Sequence, residues 1–155
     1  MVRPIRVVCV REVAISGPEL GAQILDVDRW RSFRGYGPIP GIRSARFRAR
    51  TEAVVGSEIE VESQDGSRHV EQIVAWDPAR AIAMRFIELS PPLVSLASHF
   101  IERWEFTPTP DGRTRVQRTM ELHPTGPLGW LALTLVSPFM RRALARHLAD
   151  IDPPP

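Results

Sequence analysis

Hydrophobic and polar residues alternate with a period of two over most of this chain, and short turns bearing glycine or proline interrupt the alternation. Such a pattern predicts a succession of half-buried antiparallel strands. Residues 4–15 are rich in Val and Ile and predict a long first strand ending at Ile15. Ser16-Gly17-Pro18-Glu19 has the spacing of a capping box with proline in the first turn, so a short helix to about Leu25 follows. Asp28 is placed to cap a second short helix that carries Trp30 and Phe33. Gly35-Tyr36-Gly37-Pro38-Ile39-Pro40-Gly41 cannot extend it, because glycine and proline fill five of its seven positions.

Residues 43–51 alternate Arg with Ala and Phe, and residues 57–63 alternate Glu with Ile and Val. Pairing these arms antiparallel with Phe47 opposite Val61 sets Arg50 against Glu58, Arg48 against Glu60 and Arg46 against Glu62. Opposite charges across a sheet stabilise by roughly 0.2–1 kcal/mol each, which accounts for the basic run 46–50 as a solvated ladder. Asp65-Gly66 then predicts a two-residue hairpin. It places Val70, Gln72, Val74 and Trp76 on the face of Ile59 and Val61, with His69 facing solvent opposite Glu62. The turn Asp77-Pro78-Ala79-Arg80 returns Ile82, Met84 and Phe86 opposite Trp76, Val74 and Gln72.

The hairpin over residues 98–123 is the most informative stretch. Phe100, Glu102, Trp104 and Phe106 share one face of its first arm, and Val116, Arg118, Met120 and Leu122 share one face of its second. The loop Pro110-Asp111-Gly112 suits a type I turn closed by a left-handed glycine. That loop sets Phe106 opposite Val116, Trp104 opposite Arg118, Glu102 opposite Met120 and Phe100 opposite Leu122. A carboxylate and a guanidinium are thereby buried among bulky apolar groups. They are a structural ion pair, a ligand anchor, or, with a raised carboxyl pKa, an acid–base group.

Thr125-Gly126-Pro127 starts a last helix, apolar nearly all round over 128–136, which Ser137-Pro138 kinks or restarts. Met140, Leu144, His147 and Ile151 then form a stripe opposite Arg141, Arg142 and Arg146. Here a packed core histidine is the expected role of His147.

Composition narrows the function. The chain has 155 residues, 43% of them hydrophobic and 25% charged, which suits one globular domain over 1–155 with 152–155 as a frayed tail. All 20 basic residues are arginine, and a net charge of +2 is too small to imply nucleic acid. The single Cys9 excludes an internal disulfide, and the four scattered histidines offer no metal-ligand spacing. The apolar run 128–140 is shorter than the roughly 20 residues of a membrane span. A soluble cytoplasmic protein without metal or cofactor is expected. No nucleophile elbow, phosphate-cradling loop or dinucleotide fingerprint is present.

Ile15-Ser16-Gly17-Pro18-Glu19 followed by Asp26-Val27-Asp28-Arg29-Trp30 resembles the START-like (Bet v 1-like, SRPBCC) superfamily. Gly56, Glu71, Trp76-Asp77-Pro78 and Gly112-Arg113-Thr114 resemble its bacterial polyketide cyclase/dehydrase-like branch. The resemblance covers essentially the whole chain. It implies an α+β helix-grip fold: a curved seven-stranded antiparallel sheet around a long C-terminal helix, with two short helices between the first two strands. It also implies an apolar cavity between sheet and helix. Phe47, Gln72, Met84, Phe86, Phe100, Glu102, Trp104, Arg118 and Met120 would line the cavity, together with Ile59 and Val74. Trp130, Leu133 and Met140 would approach from the helix, and Tyr36 would gate the opening. The superfamily carries no invariant catalytic set, so no catalytic residue transfers. The expected function is binding of a small hydrophobic ligand such as a lipid, polyketide or quinone. A cyclase, aromatase or dehydratase using the same cavity is the alternative, and a peripheral membrane lipid-transfer protein is a lesser one. Oligomeric state is left open.

Overall fold

A computed structural model describes residues 2–151, so the tail 152–155 lies outside the described residues. The chain runs β1 (Ile5–Val13), α1 (Gly17–Leu25), a 3-10 segment (Val27–Ser32), β2 (Ile42–Ala49) and β3 (Glu58–Ser63). It continues through β4 (Arg68–Asp77), β5 (Ala81–Ile87), a 3-10 segment (Leu93–Ser95), β6 (Ala97–Pro108), β7 (Thr114–Pro124) and α2 (Pro127–Ile151). The strands form one antiparallel sheet in the order β1-β7-β6-β5-β4-β3-β2, and α2 packs on β1 and β7. This is the α+β helix-grip arrangement expected from the sequence.

The local chemistry explains most boundaries. The Ser16 hydroxyl accepts the Glu19 amide at 3.2 Å and starts α1, as a capping box requires. The second short helix begins at Val27, and Asp26 precedes it without a side-chain cap. Asp28 is therefore not a cap; it sits in the first turn, 4.0 Å from Arg31. Val7, Val13, Leu20, Ile59, Ile82, Leu122, Leu144 and Leu148 are buried in one core cluster between sheet and helices.

Three strand registers differ from expectation, and each difference has a local cause. In β2 and β3, Phe47 opposes Ile59, Arg46 opposes Glu60 and Ala49 opposes Glu58, because β2 has irregularities at both ends. The ladder of opposite charges survives in shifted form: Arg43–Glu62 at 3.2 Å, Arg46–Glu60 at 2.7 Å and Arg48–Glu58 at 3.0 Å. Between β3 and β4 the loop holds three residues, 64–66, since the Ser63 amide bonds Ser67 O at 2.9 Å and Gly66 takes φ +85°. Asp65 stabilises it by accepting the Ser67 amide and hydroxyl. His69 consequently opposes Val61, and Glu71 opposes Ile59, so both turn inward. A bulge between Ile73 and Ala75 then restores the predicted pairing of Trp76 with Ile82. Ahead of the bulge the shifted register buries Ile73 and leaves Val74 exposed, and Gln72 lies on the face opposite Ile73.

The β6–β7 hairpin keeps the register read from its turn, with Trp104 opposite Arg118 and Glu102 opposite Met120. Gly112, at φ +82°, supplies the left-handed position.

α2 is continuous through Pro138. Proline has no amide hydrogen for Thr134 O, and the Ser137 hydroxyl donates to that carbonyl at 2.8 Å instead. A Cβ at Gly129 would fall 2.2 Å from Leu96 O, so only glycine lets the helix cross this close to the preceding segment. Leu133, Leu144 and Leu148 face the core, whereas Leu128, Leu131 and Leu135 remain exposed on the outside.

Candidate ligand-binding cavity

Between sheet and α2 lies a cavity of about 850 Å³. Met84, Phe86, Phe100 and Met120 line its sheet side, and Leu133 and Met140 line its helix side. Trp30 and Phe33 from the 3-10 segment reach it too, with the Trp30 indole fixed by donating to Ile24 O at 2.8 Å. The size falls within the 300–1,000 Å³ typical of small-molecule sites, and the walls are mostly apolar with a few polar groups.

Six of the sequence candidates stand elsewhere. Tyr36 does not line the cavity: its ring packs 6.3 Å from Phe139, and its hydroxyl accepts from Arg142 at 2.7 Å. Pro38, Ile39 and Pro40 of the same loop line it instead. Phe47 packs on the edge of the core beneath Arg50, 4.6 Å from its ring centre. Gln72 faces away because of the three-residue loop before β4. Trp130 is exposed and borders a separate shallow depression with Val2, Arg3 and Pro127. In α2 the core-facing positions near it are Gly129 and Leu133, which leaves Trp130 on the outer side. Ile59 is fully buried core, and Val74, on the same face as Gln72, is exposed by the same shift of β4.

Glu102, Trp104 and Arg118 all line the cavity and form one bonded group. Arg118 reaches Glu102 Oε2 through Nε at 2.9 Å and Nη2 at 2.8 Å. The Trp104 indole donates to Glu102 Oε1 at 2.9 Å, and the guanidinium lies 4.2 Å from the Trp104 ring centre. Arg118 Nη1 is 2.8 Å from His147 Nδ1. A guanidinium only donates, so Nδ1 accepts and the imidazole proton sits on Nε2. From there Nε2 donates to the Ser32 hydroxyl at 3.2 Å. Burial, assisted by the Arg118 charge, pushes the His147 pKa down to about 3, in keeping with that neutral tautomer.

A second polar pair, His69 and Glu71, lines the same cavity from β4. His69 Nε2 lies 2.9 Å from Glu71 Oε1, and the imidazole stacks on Phe86 with ring centres 4.9 Å apart. Burial raises the Glu71 carboxyl above the usual range. The His69 contact opposes this, and the Glu102 charge adds to it. Period-two alternation misses this pair, because the apolar series Val70, Val74 and Trp76 points to the other face. The signal that reveals it is the three-residue alternative for the Asp65-Gly66 turn, which moves β4 by one residue. His147 lies on the predicted stripe, but pairing with Arg118 depends on how α2 crosses β7. Among the described residues no group of three or more His, Cys, Asp or Glu is placed to hold a metal ion.

The profile of one family, described as polyketide cyclase / dehydrase and lipid transport, matches residues 4–152. Solved structures share the fold at low identity. Protein TTHA0849 from Thermus thermophilus is 17% identical, covering 93% of this chain and 92% of its own, with a TM-score of 0.69. A START superfamily protein from Mycobacterium smegmatis is 14% identical over 94% of this chain and 98% of its own, with a TM-score of 0.61. Major latex-like protein 151 from Panax ginseng is 15% identical over the same shares, with a TM-score of 0.60. None of the curated proteins compared with the chain matches it.

Proposed function

The chain belongs to the polyketide cyclase / dehydrase and lipid transport family, within the START-like superfamily, and on that footing we propose that it binds a small hydrophobic molecule in the cavity between sheet and α2. The observation that carries this reading is the mostly apolar cavity of about 850 Å³, into which the buried charged groups Glu71, Glu102 and Arg118 are set. Apolar walls supply affinity, and a few polar groups fix orientation. Three of the five N–H groups of Arg118 are taken by Glu102 and His147, which leaves two without a protein acceptor among the described residues. Those two suit a carbonyl, phenolate or carboxylate oxygen of the ligand.

Native mass spectrometry of the purified protein, followed by solvent extraction, tests the proposal. A retained apolar molecule, unmodified on release, is the expected result. Failure of any apolar probe to bind, together with a protein that carries nothing, overturns it. A cyclase or dehydratase is the second reading, supported by a buried carboxyl beside an imidazole at Glu71 and His69. Turnover of a polyketide analogue that is lost in Glu71→Gln favours it over a carrier.

A lipid-transfer role has one observation behind it as well. The leucines exposed on α2 lie opposite the face that closes the core, so a membrane contact does not compete with packing. No helix among the described residues is long and apolar enough to cross a membrane, so such contact would be peripheral. Cosedimentation with anionic liposomes at low salt is its test, and absence from the pellet removes it.

A further inference from the structure

The two polar groups of the cavity differ in what they leave open. The group around Glu102 is largely closed on itself: both of its carboxylate oxygens are bonded, and both His147 nitrogens are bonded. At the second group, His69 Nε2 and Glu71 Oε1 bond each other, while His69 Nδ1 and Glu71 Oε2 have no protein partner among the described residues. No side-chain nitrogen or oxygen in the described structure is both sealed from solvent and unbonded. Those two atoms therefore open onto accessible space, and both residues line the cavity.

We infer that His69 and Glu71 form a second recognition station, one that takes a hydroxyl of the ligand, so that the natural ligand is an apolar skeleton with oxygen groups at two separated positions. The inference rests on the ligand-binding reading above. A hydroxyl both donates and accepts, which matches a site presenting an imidazole nitrogen and a carboxyl oxygen side by side. With Nε2–H donated to Glu71, Nδ1 is an acceptor for the hydroxyl proton. The raised carboxyl of Glu71 supplies the complementary arrangement when it carries the proton itself. A ligand carboxylate is disfavoured here by the Glu71 and Glu102 charges, and an ammonium would have to shed its water against Phe86 and Leu89.

The geometry also sets a separation. Glu71 stands two strands from Glu102 and two residues along, through the pairs Ile73–Met84 and Met84–Glu102. Strand spacing and rise place their Cα atoms ~12 Å apart on a flat sheet, and less on a curved one. The imidazole cannot swing freely to shorten this, because it is stacked nearly parallel on Phe86 at 13°. A ligand with a single polar head fills one station and strands the other without hydrogen bonds, which weakens its binding. The two stations thus favour a two-ended molecule over a simple fatty acid.

The test compares 2-naphthoic acid with 6-hydroxy-2-naphthoic acid, whose hydroxyl and carboxylate sit at opposite ends of one ring system. Displacement of the fluorescent probe 1-anilinonaphthalene-8-sulfonate reads both affinities. The wild-type protein is expected to bind the hydroxylated acid about tenfold more tightly. That ratio, measured within each variant, is expected to fall to about one in His69→Phe, which keeps the stacked ring, and to shrink in Glu71→Gln. Equal affinities in the wild type, or an undiminished ratio in both variants, overturn the second station. Binding of the fluorescent probe but of neither acid also overturns it, together with the Arg118 acceptor. If the fluorescent probe does not bind either, the cavity reading itself fails and takes the station with it.

Discussion

Arg118 Nη1 and His147 Nδ1 lie 2.8 Å apart, and because the guanidinium only donates, this contact requires an unprotonated Nδ1. The imidazole joins β7 to α2 as a neutral group. Its pKa falls from 6.5 to about 3 on folding, so the unfolded chain takes up a proton that the folded one refuses. Stability from this group is present above pH 6.5 and is lost as pH falls from there towards 3, by up to ~1.4 kcal/mol per pH unit. In His147→Gln, whose amide can still accept from Arg118, urea denaturation at pH 4 to 7 is expected to show a shallower slope. An identical slope in both proteins would contradict the assignment.

Glu102 depends on Arg118 for two of its three hydrogen bonds. Arg118→Met leaves a buried carboxylate without its cation and is expected to cost ~3–5 kcal/mol. Adding Glu102→Gln removes the stranded charge while keeping an acceptor for the Trp104 indole, so more than half of the loss returns. Chemical denaturation of the single and double variants measures this, and equal losses would refute an ion pair.

Glu71 behaves in the opposite sense to a salt-bridged carboxylate. Its folded pKa lies above the ordinary value of 4.5, so ionising it opposes folding. That group's contribution is most favourable below pH 4.5 and is lost as pH rises through the folded pKa. Glu71→Gln is therefore expected to raise the urea midpoint at pH 8, with an advantage that narrows on acidification and disappears below about pH 4.5. A variant less stable than wild type at pH 8 would count against it.

Gly129 offers a test of sign. In an exposed helix, alanine in place of glycine stabilises by about 1 kcal/mol. Here the added methyl meets Leu96 O, and Gly129→Ala is expected to destabilise by ~1–3 kcal/mol as helix and loop are pushed apart. Thermal unfolding decides, and a raised Tm would show that the close crossing is not required.

What the sequence reveals depends on which interaction sets each register. The β6–β7 hairpin is governed by its own turn, and Pro110-Asp111-Gly112 admits one closure. Glu102, Trp104 and Arg118 were therefore legible together. The β3–β4 turn admits two closures that differ by one residue. There the apolar series Val70, Val74 and Trp76 points to the wrong one, because a bulge near Val74 changes the phase midway. His69 and Glu71 were hidden by that single slip. Trp130 misled for another reason. Period and hydrophobicity show that the first half of α2 is apolar, but not which side meets the sheet when both sides carry large residues.

The crossing at Gly129 gives α2 the character of a beam rather than a flap. Beyond Pro138, Leu144, His147 and Leu148 are held in the core or by Arg118. Before it, Gly129 lies against Leu96 and Leu133 is buried. Between these two moorings Leu133, Val136 and Met140 roof the cavity, and the Ser137 hydroxyl bridges the rung that Pro138 leaves open. The ceiling over a ligand is thus fixed at both ends, and the side chains of the span set how much bulk fits beneath it.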